Sequence, residues 1–325
     1  LRDFVTSFSL LPETFNARII PQMTKMNQEA AATDATNAFP ELLTDYIKGQ
    51  IAQSNNPEAL LRQFKADPIE NQTVPGFAPD PVGDLDSGVF PGLLHKYHGR
   101  VLLILTGSCA VHCRYCFRRH FPYQDQRIDA DKMDQVVAYL NDHPEITEVI
   151  LSGGDPLSVS NRRLAMVIRR LTEQTGITRL RLHSRTPTVN PQRVDAELVA
   201  MLASTPVPVV LVTHVNHPDE LGRQTKAVMQ HLSQAGVHLL NQTVLLKGVN
   251  DDLQTQLVLS ERLFSQRILP YYLHQLDQVA GGAHFYVPIE EGLALLDQMR
   301  ARLPGYLVPR YVCEPPGSVS KQHLA

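Results

Sequence analysis

The chain has 325 residues, with 30 Lys plus Arg against 33 Asp plus Glu and a formal charge of −3, a balance that argues against a nucleic-acid coat or a polybasic membrane clamp. Hydrophobic residues make up 43 %, no apolar run approaches the roughly 18 residues that cross a bilayer, and a chain this long buries about 75 % of its unfolded surface without disulfide staples. Three of the four cysteines, Cys109, Cys113 and Cys116, fall within eight residues and read as ligands. With no basic-then-apolar leader, the clustered thiols lead to the expectation of a reducing cytoplasm.

Residues 1–66 are predicted to form an N-terminal helical region. Phe39, Leu42, Leu43, Tyr46 and Ile47 recur at a 3.6-residue period behind Pro40 in a first-turn position, and Pro57 opens a second short helix with Leu60, Leu61 and Phe64. A Pro/Gly-rich strap is expected over 67–94. There Pro68, Pro75, Pro79, Pro81 and Pro91 alternate with Gly76, Gly83, Gly88 and Gly92, which speaks against regular structure and for a segment lying across another surface.

From residue 95 to 321, apolar strands alternate with amphipathic helices. Strands are predicted at Val101–Thr106, Glu148–Ser152, Arg179–Ser184, Val207–Thr213, Val237–Leu245 and Ile268–Leu273, with a closing strand near Leu307–Val312. Helices are predicted at Asp131–Asp142, Asn161–Thr175, Pro191–Ala203, Glu220–Ala235, Asp252–Phe264 and Ile289–Arg302. The spacing of about 30 residues is that of βαβ units, so the fold class is α/β, a parallel sheet forming a partial or complete barrel. Residues 322–325 form a short tail. Chemistry in such a fold belongs at the C-terminal ends of the strands.

Cys109-Ala-Val-His-Cys113-Arg-Tyr-Cys116 follows the first core strand directly. Three thiolates on one loop suit three irons of a [4Fe–4S] cluster and leave the fourth iron for a ligand that is not protein. A structural zinc would need a fourth ligand from His112, His120 or Cys313. The C-x3-C-x2-C spacing, with Tyr115 before the last cysteine, resembles the signature of the radical S-adenosylmethionine (SAM) superfamily. That resemblance implies a partial (β/α)6-type barrel in which the open iron holds SAM. It also implies that Ser152-Gly153-Gly154-Asp155-Pro156, after the second core strand, is the glycine-rich turn on the methionine amino group.

A longer resemblance runs over about residues 90–321. The segment from Cys109 to Tyr123, with LVTHVNHPDE (211–220), LLNQTVLLKGVND (239–251) and LPYYLHQLD (269–277), is similar to lysine 2,3-aminomutases, nearest their short bacterial branch. It implies a second cofactor, pyridoxal 5′-phosphate (PLP), on Lys321 in PPGSVSK (315–321), with Arg100 and Tyr97 beside it and Arg suited to the phosphate. It further implies Arg118 on the substrate carboxylate, Asp277 and Glu314 on a distal ammonium, and His214 and Gln242 on SAM. Glu314 stands where the family usually has aspartate. His217 is read as structural, and Cys313 is given no ligand role.

The reaction so implied is the conversion of L-α-lysine to (R)-β-lysine by a SAM-derived radical acting on lysine held by PLP as an aldimine. The partners implied are L-lysine and an electron donor, with an indirect link to elongation factor P through β-lysine and no membrane or nucleic acid. The alternatives are an aminomutase for another amino acid such as arginine, and a non-catalytic iron–sulfur or zinc protein. Glutamate suits the site poorly, because its side chain would face Asp277 and Glu314.

Overall fold

The computed structural model describes residues 39–126 and 128–325. The part of the predicted N-terminal helical region before residue 39 lies outside the described residues. Helix α1 (Asp45–Gln53) starts later than Pro40, because Thr44 Oγ1 accepts from Ile47 N–H and caps it. The backbone ahead of it is used elsewhere: Leu42 O accepts from His112 N–H at 3.0 Å, and Phe39 O accepts from Arg114 Nη1 at 2.9 Å. Helix α2 (Pro57–Arg62) has Pro57 in its first turn and Asn56 as cap. Buried Ile47, Leu60 and Phe64 hold the pair against the rest of the protein.

The strap is more regular than its composition suggests. It contains 3-10 turns at Pro68–Asn71 and Leu85–Ser87, and strand β1 (Gly88–Phe90) pairs antiparallel with β2 (Leu93–Tyr97). Pro91 and Gly92 make the turn between them, Gly92 at φ +99. Strand β2 pairs antiparallel with β3 (Arg100–Thr106).

Seven strands then run parallel in chain order, β3, β4 (Glu148–Gly153), β5 (Arg179–His183), β6 (Val209–Thr213), β7 (His238–Val244), β8 (Leu269–His274) and β9 (Arg310–Cys313). A short antiparallel β10 (Gln322–His323) follows on β9. The order is linear and β1 does not pair with β10, so the barrel is partial and its sheet open. Helices α3 (Ala130–Asp142), α4 (Asn161–Gln174), α5 (Ala196–Ala203), α6 (Arg223–Gln234), α7 (Leu253–Ser265) and α8 (Ile289–Arg300) connect the strands. The helix expected from Pro191 is split, because Asp195 accepts from Leu198 N–H and starts α5 afresh after a 3-10 turn at Pro191–Arg193.

Strand side chains such as Leu103, Leu151, Leu182 and Leu211 pack with Val167, Leu171 and Leu202 of the helices in one core cluster. Because β3 to β9 point the same way, their C-terminal ends share one rim. The strap crosses that rim: Ala78 N–H donates to Gln278 O at 2.8 Å, and Ala78 O accepts from Ala280 N–H at 2.9 Å.

Candidate active site

All fourteen residues singled out from the sequence line one cavity of about 500 Å³ at this rim. Cys109, Cys113 and Cys116 enter from the loop after β3 as free thiols. Burial first, then the neighbouring sulfurs, pushes the Cys109 thiol up and the Cys116 thiol up to about 11. Arg185, beyond β5, donates from Nη1 to Cys113 Sγ at 2.8 Å.

The glycine turn after β4 is shaped first by its protein neighbours. Gly153 has φ +110, and a β-carbon on Gly154 would fall 2.5 Å from Ser108 O. Gly154 N–H donates to Thr106 O at 2.7 Å, so only glycine lets this turn lie against the start of the cysteine loop. The Asp155 carboxylate is fully engaged, accepting from Leu157 N–H, Ser184 Oγ, Arg185 N–H and Thr186 N–H at 2.7–2.9 Å. It ties β4 to β5 and has little capacity left for a ligand.

His214 and Gln242 meet, the Gln242 amide donating to His214 Nε2 at 2.9 Å. Burial, then Arg185 and Arg118, holds His214 down to about 3, so the ring is neutral and can accept. His217 is a cap: its side chain accepts from Asp219 N–H at 3.2 Å.

The cavity lining is also charged. Lys96, Arg100, Arg118, Arg181, Arg185 and Lys321 belong to it. Carboxylates pair five of these cations: Asp84 with Arg118, Glu148 with Arg181, Glu220 with Arg185, and Glu314 with both Lys96 and Lys321. Among the described residues only Arg100 of the six has no such partner. Its guanidinium lies over the Tyr97 ring, 4.6 Å from the centroid. The Tyr97 hydroxyl is buried without a hydrogen bond and faces Glu314. Arg118 donates from Nε to Asp84 at 2.7 Å and from Nη1 to Ser152 Oγ at 3.3 Å, which leaves Nη2 for a ligand.

Glu314 keeps its charge: burial, which would raise its carboxyl, is outweighed by Lys321 and Lys96, and it sits well below the usual range. Asp277 moves the other way. Burial and then Glu314 push it up to about 7.

Asp84, Lys96 and Arg185 were missed from the sequence. Arg185 stands at the end of a predicted strand, where the barrel rule would have found it. Lys96 adjoins Tyr97, while Asp84 left no signal beyond its place in the strap. His183 and His274 were missed too, and each carries a buried, unpartnered Nε2 into the lining.

A family model for the Radical SAM superfamily matches residues 103–255. The chain is 42 % identical over 272 residues to the L-lysine 2,3-aminomutase of Haemophilus influenzae, across 84 % of this chain and 80 % of that one. The chain belongs to the lysine 2,3-aminomutase family. The Escherichia coli L-lysine 2,3-aminomutase is likewise 42 % identical, over 85 % of this chain and 80 % of its own length. A radical SAM methyltransferase from Sphaerobacter thermophilus shares the fold, with a TM-score of 0.50 at 18 % identity over 68 % of each chain.

Membership in this family makes the chain an isomerase with a [4Fe–4S] cluster, SAM and PLP as cofactors. The residues fit these groups. Neighbouring, half-buried thiols are what a cationic cluster would deprotonate. The unpartnered Arg100 and Tyr97 hydroxyl suit a phosphate near Lys321. No helix among the described residues is long and apolar enough to cross a membrane.

Proposed function

We propose that this isomerase is an L-lysine 2,3-aminomutase converting L-α-lysine to (R)-β-lysine in the cytoplasm, its product destined for modification of elongation factor P. The observation that carries the reading is a single cavity lined both by three cysteines and by Lys321, Arg100, Asp277 and Glu314. The link to elongation factor P rests on the likeness to the short bacterial branch.

The bound cofactors supply hydrogen abstraction from an unactivated carbon and migration of an amino group between neighbouring carbons. The chain's residues do the rest. Cys109, Cys113 and Cys116 hold the cluster, for which an external donor provides the electron. The backbone of Gly153 and Gly154, with the neutral His214–Gln242 pair, orients SAM, and Asp155 positions that turn. Lys321 holds PLP, and Arg100 and Tyr97 fix its phosphate.

Arg118 offers Nη2 to the substrate carboxylate. Asp277 and the Glu314 oxygen that Lys321 occupies here receive the distal ammonium. The strap and rim exclude water and oxygen from a reactive intermediate.

Anaerobic protein loaded with iron, sulfide and PLP, given SAM, a chemical reductant and L-lysine, is expected to form β-lysine, with the R configuration by chiral analysis. Absence of β-lysine from a cluster-loaded sample rejects the proposal. L-arginine run in parallel decides between the two aminomutase readings. Lys321→Ala is expected to lose PLP absorbance while keeping cluster absorbance, which a non-catalytic iron–sulfur protein would not show.

A further inference from the structure

Arg185 is 6 % exposed, and both ends of its guanidinium fork are committed. Nη1 donates to Cys113 Sγ at 2.8 Å and to Tyr115 Oη, while Nη2 donates to Gln63 Oε1 at 2.8 Å and to Glu220 Oε2 at 2.7 Å. The group lies over the Phe64 ring, 4.6 Å from its centroid. Its backbone N–H is held by Asp155 at 2.8 Å.

The holders are themselves held. Gln63 Nε2 donates to Glu220 Oε1 at 3.1 Å, and the same oxygen accepts from the backbone N–H groups of Asn216 and His217 at 3.0 Å each. Elements far apart in the chain, α2 and the rim loops after β4 and β6, thus converge on one buried cation whose end touches a cysteine sulfur. Burying a guanidinium is unfavourable even when it is paired, so a packing role alone explains poorly why it sits here.

We propose that Arg185 is a positioning residue for the cluster: by donating to the Cys113 sulfur it fixes that ligand and raises the cluster's reduction potential, and Glu220 limits the rise. The proposal rests on the reading of Cys113 as a cluster ligand. Hydrogen bonds to ligand sulfurs and a nearby positive charge both favour the state carrying one more electron. The step is a one-electron transfer in which an external low-potential donor is oxidised by one electron and the cluster reduced by one. No protein bond forms or breaks, and Arg185 keeps its proton throughout.

The test is the cluster's midpoint potential, followed by electron paramagnetic resonance during anaerobic titration of the reconstituted holoenzyme without SAM. Iron and sulfide content, melting temperature and SAM affinity are measured alongside. Arg185→Gln is expected to lower the potential, Arg185→Lys to lower it less, and Glu220→Gln to raise it. Opposite signs are not what general loosening or water entry would produce.

Unchanged potentials in variants with full iron content, or shifts of the same sign, overturn the proposal. So does a loss of SAM affinity at unchanged potential, which would assign the unpartnered Arg185 Nε to SAM instead. If Arg185→Gln takes up no iron, Glu220→Gln alone decides: a rise supports the proposal and no rise overturns it. A wild-type protein that loads no four-iron cluster refutes the reading of the cysteines, separately from the role of Arg185.

Discussion

Asp277 is built into the fold at a cost that can be measured. Its carboxyl is pushed from 3.8 up to about 7, by burial and then by Glu314. Three units at ~1.4 kcal/mol each come to ~4 kcal/mol. The sign follows from where the proton sits. Between pH 3.8 and about 7 the folded chain keeps a proton that the unfolded chain has released. The contribution to stability is therefore fully present below the lower value and lost as pH rises through the upper one.

Asp277→Asn never ionises, so in cofactor-free protein its advantage over wild type should grow from near zero at acid pH to ~4 kcal/mol above pH ~7, and then level off. Urea unfolding of both proteins at several values between about pH 5 and pH 8.5 reads the difference and cancels groups that titrate alike in both. Function should move in the opposite direction: without a carboxylate for the ammonium, the KM for lysine rises at least ~10-fold, a trade-off expected of a site acid. Parallel stability curves for the two proteins, or an Asp277→Asn variant less stable at the alkaline end, would refute the reasoning.

Glu70→Ala should lower stability by ~3–5 kcal/mol, because it strips the counterion from Arg114 and Arg119, whose side chains are 0 % and 3 % exposed. The urea midpoint checks this, and iron uptake should fall with it, since both arginines belong to the cysteine loop. Gly154→Ala puts a methyl group 2.5 Å from Ser108 O and 2.7 Å from Gly107 C, backbone atoms that cannot step aside cheaply. A loss of ~1–3 kcal/mol is expected, with SAM affinity reduced and iron content kept; unchanged SAM binding would count against the proposed role of the turn. Arg100→Met keeps an apolar stem over Tyr97 but removes a lining cation that has no carboxylate partner among the described residues, so PLP affinity should fall ~10-fold or more in an absorbance titration of apoprotein.

Legibility from the sequence followed the range of the interactions. Strand β4 was readable because Glu148–Gly153 is buried throughout and its apolar run is continuous. Helix α4 was readable because Leu164, Val167, Ile168 and Leu171 repeat on one face. The β1–β2 hairpin was hidden because Pro91 and Gly92, which make its turn, read as breakers of a strap. The start of α1 was misplaced because Thr44 caps more decisively than a proline marks a first turn, and because Arg114 and His112 claim the carbonyls ahead of it. The pairings of Asp84 with Arg118 and of Lys96 with Glu314 join residues 34 and 218 positions apart, and such contacts leave no periodic trace.

The open sheet gives those pairings their meaning. One edge carries the β1–β2 hairpin and the other carries β9 with β10, and no ladder joins them. What joins them is charge: Lys96 of β2 donates to Val82 O at 2.6 Å in the strap and to Glu314 Oε1 at 2.9 Å beyond β9, while Lys321 takes the second Glu314 oxygen. A backbone ladder here would be permanent, whereas the Lys321 contact can be exchanged. On the proposed reading Lys321 would leave its Glu314 contact to hold PLP, and Glu314 would keep only Lys96. Glu314, Asp277 and Lys96 together then carry one net negative charge, provided Asp277 is ionised. An incoming ammonium supplies both the missing cation and the field that ionises Asp277. An acid near pH 7 in the cofactor-free protein is therefore what a subsite for one positive charge should contain.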